Sequence, residues 1–262
     1  MAEAPRVLFL GMSGAFSLVV LESFVAAGGS VGGVLLPGFP RRPGAEHGRG
    51  AGDSSLDAQY DKLGGLPIIM PFTQRTIADV ARELGIGTLE AWDLSGHDIA
   101  ESVRPLAPDI IAVACWPRLI PRGFRQLAPL AVNVHPSLLP DNRGPAPVFW
   151  TLRLGQQVSG VTIHVLEDRA DTGPILAQRR LPVPEGISAA DLEAQLAAAG
   201  GELLAQVARD FATGQLVPWP QDEAQATYYP WPKFEHPPVV LPVHISPPRG
   251  AMSKGDRCVR EH

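Results

Sequence analysis

The sequence predicts an α/β fold, with a mostly parallel central sheet and helices on both of its faces. Three observations lead there. The chain opens with a strand, a tight glycine turn, a helix and a second strand, the first unit of a doubly wound sheet. Strand-like and helix-like stretches then keep alternating along the chain. Asp109–Cys115, DIIAVAC, is an unbroken β-branched apolar run, as expected of a parallel strand covered on both faces.

The elements follow in order. Arg6–Leu10 is an apolar strand ending in GMSG at Gly11–Gly14, and an apolar helix from Phe16 to Ala27 is stopped by Gly28-Gly29. Val31–Leu35 is the second strand. From Leu36 to Leu66 the rhythm breaks into a loop rich in Gly and Pro that carries Arg41, Arg42, His47 and Arg49. A loop of that length is either a mobile surface segment or a functional flap, here one suited to negative charge. Regular structure resumes with a short strand at Pro67–Met70 and a helix at Gln74–Leu84, whose apolar positions are Ile77, Val80, Ala81 and Leu84. Strands at Thr88–Trp92, Asp109–Cys115 and Leu130–Val134 are separated by a short helix at Asp98–Arg104 and a helical turn at Arg122–Leu127. PAP begins a helix at Pro145–Leu154, the strictly alternating Val158–Leu166 and then Ile175–Val183 are strands, and Ser188–Phe211 is one long Ala-rich helix that Gly200-Gly201 is expected to bend. The catalytic unit is placed at 1–217. The Pro-rich remainder, 218–262, reads as an extended tail hugging the surface, with a disordered end.

Bulk properties exclude several classes. At 262 residues and 45% hydrophobic, the chain can bury a substantial core. A net charge of −5 disfavours a globally basic nucleic-acid binder. Cys115 and Cys258 lack CxxC spacing, which disfavours a disulfide framework and a cysteine zinc site and suits a reducing cytoplasm. The N-terminus lacks the pattern of a signal peptide, and no apolar run is long enough to span a bilayer.

The chemistry concentrates where strands end, because ligands of open α/β sheets bind beyond the carboxyl ends of the strands. Three such ends carry unusual residues: Trp116-Pro117-Arg118, Asn133-x-His135, and Glu167–Asp171. Asn133 and His135 are two apart on a strand, so both face one way. A neutral amide donor and an imidazole that titrates near neutrality converge on one point, where they can polarise a carbonyl and hold an oxyanion. Asp171 lies in a Gly- and Asp-containing loop, able to approach the imidazole, keep it protonated or take a proton itself. No GxSxG elbow is present, so direct attack of an amine on a bound acyl donor is preferred to a covalent acyl-enzyme. A zinc site is not expected, since His135, His164 and Asp171 have no ligand spacing. GMSG is not GxGxxG. It reads either as a plain βα turn or as an amide nest for a polar or anionic part of a substrate.

NVHPSLLPDNRGPAP followed by GVTIHVLEDRADTGPIL resembles the core of the folate-dependent formyltransferases, over roughly residues 6–217. The resemblance implies a Rossmann-like formyltransferase fold, with catalysis by Asn133, His135 and Asp171 and 10-formyltetrahydrofolate as the formyl donor. It places Arg118, Leu119 and Ile120, the turn Ser137, Leu138, Leu139 and Pro140, and the loop Leu166, Glu167 and Asp168 around that donor. His164 is expected one layer behind the triad. The acceptor side is assigned to Gly11, Met12, Ser13, Gly14 and Arg143. The family includes a methionyl-tRNA enzyme with a further β-rich domain. The Pro-rich tail and acidic balance here point instead to a small-molecule amine, such as an amino sugar, an amino acid or a natural-product intermediate. The Arg41–Arg49 loop keeps tRNA open. Release of formate to water and silent folate binding are the remaining alternatives.

Overall fold

The computed structural model describes residues 4–38 and 75–233. The strand expected at Pro67–Met70, nearly all of the Arg-rich loop and the end of the tail lie outside these residues.

Among the described residues seven strands form one sheet in the order β3-β2-β1-β4-β5-β6-β7. They are β1 (Arg6–Gly11), β2 (Ser30–Leu36), β3 (Thr88–Glu90), β4 (Ile110–Ala114), β5 (Leu130–His135), β6 (Val158–Val165) and β7 (Ile175–Pro182). The first five run parallel, β6 is antiparallel to β5, and β7 is antiparallel to β6. The Rossmann-like α/β expectation is therefore correct. Among the described residues there are six α-helices: α1 (Ala15–Ala26), α2 (Ile77–Glu83), α3 (His97–Val103), α4 (Arg122–Arg125), α5 (Pro147–Arg153) and α6 (Ala189–Ala212).

Period-two alternation sorts the strand residues onto two faces. Val7 and Phe9 of β1, Val132 and Val134 of β5 and Val161 and Ile163 of β6 pack with α1, α2 and α6 in one cluster. Leu8, Leu10, Ile111, Val113 and Ala131 face the other way, onto Ile99 and Val103 of α3 and Phe124 of α4. By the same alternation Asn133 and His135 share the face of Ala131, and Thr162 and His164 lie on that face too. The helices there are short.

Helix α6 runs unbroken through Gly200 and Gly201. The pair serves close packing. A Cβ on Gly201 would lie 2.4 Å from the Val20 carbonyl oxygen of α1, and one on Gly200 would lie 2.7 Å from Cγ1 of Val134. Small residues at this crossing let α6 lie directly on α1 and the sheet. The helix starts at Ser188, whose Oγ accepts from the Asp191 N–H at 3.1 Å.

Beyond α6 the chain turns back as a strap, residues 218–233. Trp219 pairs with Ile175 through both backbone bonds, at 2.8 and 3.0 Å. Thr227 donates to the Pro140 carbonyl, and Tyr229 donates to that of Arg143. The Tyr229 ring stacks on Trp150 at 4.9 Å between centroids.

Candidate active site

Strand β5 presents Asn133 and His135 in succession, and β6 places His164 directly opposite Asn133 in the antiparallel register. Because β6 runs antiparallel, its carboxyl end does not lie with those of β1, β4 and β5. Of the three strand ends expected at one edge, Glu167–Asp171 is the exception. This segment belongs to the β6–β7 hairpin, which folds back over the sheet face: the Val165 N–H donates to the Pro174 carbonyl, and Asp171 sits in the left-handed region at φ 56°. Gly173 makes the close approach possible, since a Cβ there would fall 1.8 Å from the Val165 carbonyl oxygen.

The result is a cluster of four side chains. Asp171 Oδ1 lies 3.6 Å from His135 Nδ1, 3.5 Å from His164 Nε2 and 3.4 Å from Asn133 Nδ2. Asn133 Nδ2 also reaches His164 Nε2 at 3.2 Å. His164, expected one layer back, thus touches both Asn133 and Asp171. The strict alternation of β6 already put it on the face opposite Ile163, which is the face of the cluster.

Hydrogen bonds to carbonyls fix the imidazole protons, because a carbonyl only accepts. His135 Nε2 is 3.0 Å from the Asn142 carbonyl oxygen, so it carries a hydrogen and Nδ1 is the nitrogen that titrates, facing Asp171. His164 Nδ1 donates to the Val165 carbonyl at 3.0 Å, which turns Nε2 towards Asn133 Nδ2 at 3.2 Å and Asp171 Oδ1 at 3.5 Å. Burial would raise the Asp171 pKa, but His135, His164 and the Gly144 N–H at 2.9 Å outweigh it and hold the carboxyl well below its usual range. Burial pulls the His135 pKa below the ordinary histidine value, against the opposing pull of the Asp171 charge. His135 is almost wholly enclosed, so loss of water works against its charge while the Asp171 carboxylate works for it.

The residues expected around a folate separate into groups. Arg118 lies over the Trp92 ring, 5.5 Å from its centroid. With Trp116, Leu119, Asp93, Leu94 and Pro121 these two line a small cleft of about 40 Å³. Leu119 is exposed and Ile120 is buried beneath it in the core. Leu166 gives its carbonyl to Arg125 Nη1 at 2.8 Å, and Asp168 pairs with the same guanidinium, so Arg125 anchors this loop. Glu167 is exposed at its start. In the Ser137–Pro140 turn, Ser137 and Leu139 point inward. Ser137 Oγ donates to the Asp141 carbonyl at 2.6 Å, and the Leu139 N–H donates to Thr162 Oγ1 at 3.1 Å. Leu138 faces a separate cavity of about 340 Å³ shared with Asp141, Asn142, Gln156, Gln157, Val158 and Ser159.

Gly11–Gly14 lies at the carboxyl end of β1, beside that of β4. Ser17 Oγ takes the Met12 N–H at 3.0 Å and donates to the Ala114 carbonyl at 2.7 Å, tying the turn to the sheet. Ser13 makes no side-chain cap, and Gly14 occupies the N-cap position of α1. Arg143, assigned to the acceptor side, is buried, and its guanidinium is taken up by Gln221 and Glu223 of the strap. Sequence reasoning missed Arg125, Asn142, Gly144, Thr162 and Gln221. Asn142 and Gly144 sit inside the PDNRGP run that follows His135. Nothing in the tail's composition marked Gln221.

A family model described as formyl transferase matches residues 73–208. The chain belongs to the formyl transferase family. It is 37% identical over 226 residues to the methionyl-tRNA formyltransferase of Roseiflexus castenholzii, covering 85% of this chain and 64% of that one. With the same enzyme of Anaeromyxobacter dehalogenans it shares 42% identity over 148 residues, 56% of this chain and 47% of the relative. The chain thus spans about two thirds or less of the relatives it matches. Among solved structures, glycinamide ribonucleotide transformylase 1 of Symbiobacterium toebii superposes with a TM-score of 0.60 at 22% identity, covering 83% of this chain and 94% of that one. HypX of Aquifex aeolicus in complex with tetrahydrofolic acid gives 0.60 at 19%, over 89% of this chain and 31% of that one. These two show a shared formyltransferase-type fold. Among the described residues no helix is long and apolar enough to cross a membrane, and no group of His, Cys, Asp and Glu is arranged to hold a metal ion.

Proposed function

We propose that this formyl transferase family member moves a formyl group from 10-formyltetrahydrofolate to an amine, and that the amine is the amino group of a methionyl-tRNA. The cluster of Asn133, His135, His164 and Asp171 on one sheet face carries the first half of the reading. The methionyl-tRNA formyltransferases matched along 85% of this chain support the second. They replace the small-molecule acceptor expected from the acidic balance as the favoured reading. The net charge of −5 still favours a small amine.

The cleft of Trp92, Trp116, Arg118 and Leu119 suits a folate. Exposed Leu119 lies with Trp92 and Trp116 in an aromatic cleft that a flat heterocycle would cover. Arg118, stacked on Trp92, is placed for the carboxylate-bearing part of such a molecule. When bound, the folate supplies the formyl carbon.

The chain's own groups then have separate tasks. Asn133 Nδ2 offers a neutral donor to the oxygen on which charge develops. Its longer contact, to Asp171 at 3.4 Å, is the one an incoming oxygen displaces, while His164 Nε2 keeps the amide oriented. His135 Nδ1, once protonated, is the charged donor on the same face. Asp171 Oδ1 balances that imidazolium and is the base within reach of an attacking amine. Its depressed pKa means that it enters the reaction as the anion.

The test is incubation of the chain with 10-formyltetrahydrofolate and either methionyl-tRNA or a panel of amino sugars and amino acids. Formyl-methionyl-tRNA is the expected product. Transfer only to small amines would reverse the choice of acceptor, and formate release with no acceptor would replace transfer by hydrolysis.

A further inference from the structure

Asp171 is held from two sides, and one of them lies outside the span matched by the family model. Its carboxylate accepts the Gly144 N–H at 2.9 Å. Its backbone carbonyl accepts from Gln221 Nε2 of the strap at 2.9 Å, and the same nitrogen donates to the Gly173 carbonyl at 2.7 Å. Gln221 Oε1 in turn accepts from Arg143 Nε at 3.1 Å and Nη2 at 2.7 Å. The orientation of this amide follows from its partners, because two carbonyls demand the nitrogen and a guanidinium demands the oxygen. Arg143 also makes a two-bond contact with Glu223, at 2.7 and 3.0 Å. Arg143 sits between Asn142, whose carbonyl takes the His135 Nε2 hydrogen, and Gly144, whose N–H reaches Asp171. A ring of contacts therefore runs from Asp171 through Gln221 and Arg143 to Gly144 and back to Asp171.

The ring bears on the weakest point of the cluster. Asp171 stands in a left-handed conformation at φ 56°, which is strained in a non-glycine residue and persists only when its surroundings enforce it. No side chain of the hairpin itself bonds the Asp171 or Gly173 carbonyls among the described residues. Gln221 bonds both. We propose that Gln221, itself set by Arg143, is a positioning residue for Asp171, so that the strap 218–233 belongs to the catalytic apparatus. This rests on the formyl-transfer reading for its activity readout and on geometry alone for its second readout.

Two variants of the full chain separate the roles of Gln221. Gln221→Met keeps the length and removes both the donors and the acceptor. Gln221→Glu keeps an oxygen towards Arg143, and with it the anchorage of the strap, but loses the N–H groups that hold the two carbonyls. Steady-state transfer is measured for both, with KM for 10-formyltetrahydrofolate. The His135 imidazole is titrated by NMR in Gln221→Met, which adds no charge. The groups facing His135 are Asp171 from the hairpin and His164 from β6, and Arg143 and Glu223 are paired behind Gln221. Both variants are expected to lose about 10–100-fold in kcat, with KM within about twofold, because a displaced catalytic group costs orders of magnitude in rate. The His135 titration moves to lower pH as the Asp171 charge is loosened from it. The proposal is overturned by wild-type kcat in Gln221→Glu, by an effect confined to KM, or by an unshifted His135 titration in folded Gln221→Met. If the wild-type chain transfers no formyl group to any acceptor, the formyl-transfer reading fails, while the titration still reads the Gln221–Asp171 contact.

Discussion

The two halves of the sheet are built by different rules. On the β3-β2-β1-β4 side the strands are parallel and their buried residues are almost wholly apolar. Ser17 is the one buried polar side chain among the described residues there, and it serves the turn after β1. On the β5-β6-β7 side the ladder turns antiparallel, and His135, Ser137, Asn142, Arg143, Thr151, Ser159, Thr162 and His164 are all buried. Buried polar groups stabilise only when satisfied, and a satisfied network is geometrically exacting in a way that apolar packing is not. The parallel half supplies cohesion, and the antiparallel half supplies aim. The change of strand direction is what allows it: β6 sets His164 opposite Asn133, and the hairpin after it returns Asp171 over the same face.

That division predicts that the halves fail in different ways. The largest effect is expected from Asn133→Ala, which removes the neutral donor of the cluster. Loss of one oxyanion donor costs roughly 3–4 kcal/mol of barrier, or about 10²–10³ in kcat. The melting temperature should move less, since about one hydrogen bond's worth of net stability is at stake, roughly 1 kcal/mol. Turnover within a few-fold of wild type would remove Asn133 from the chemistry. Leu21→Ala in α1 should do the reverse. Leu21 is fully buried in the apolar cluster beneath α1, and such truncations cost about 2–5 kcal/mol. Denaturant unfolding should show that loss while the folded fraction keeps its kcat. A matching fall in kcat would mean that the two halves are not separable.

How much of this was readable beforehand follows the same line. The parallel half announces itself, because a buried parallel strand is a run such as DIIAVAC and needs no partner to be recognised. Asn133 and His135 were legible from strand period alone, and the quoted motifs linked them to Asp171. The reversal of β6 was not legible, because alternation fixes the faces of a strand and says nothing of its direction. His164 was therefore put on the correct face and yet left behind the cluster. Glycine weakens a helix locally, so Gly200-Gly201 reads as a bend from sequence, while the close packing the pair permits lies across the crossing at Val20 and Val134, where sequence shows nothing. Arg143 read as a ligand-binding cation because its partners, Gln221 and Glu223, are some eighty residues away in a stretch whose composition signals only a tail.

A smaller effect should appear in the pH dependence of stability. His135 is depressed by burial from an ordinary value of 6.5. Below that pH the unfolded chain takes up a proton that the folded chain refuses, so stability falls as pH drops from about 6.5 towards the folded pKa. Asp171 is depressed too, and its contribution is complete above an ordinary value of 3.8 and lost only below it. Urea midpoints measured between about pH 7.5 and 4.5 should therefore decline in the wild type and decline less in His135→Asn, which cannot charge. Equal slopes in the two proteins would mean that the acid sensitivity lies elsewhere, and the antiparallel half would lose its distinction as the pH-sensitive one.

The smallest effect sharpens the contrast from within the antiparallel half. Arg179 on β7 pairs with Glu202 on α6, and both side chains are substantially exposed, at 38% and 56%. Solvent and side-chain entropy leave such a pair worth about 0–1 kcal/mol. Arg179→Ala should shift the urea midpoint only slightly, with less shift still in about 1 M salt, and should leave kcat unchanged. If the aim of this half resides in its enclosed network, a charge on its rim is dispensable. If removing Arg179 instead lowered turnover as Gln221→Met is expected to, position on β7 would matter as much as contact with Asp171, and the network would extend to the surface of the sheet.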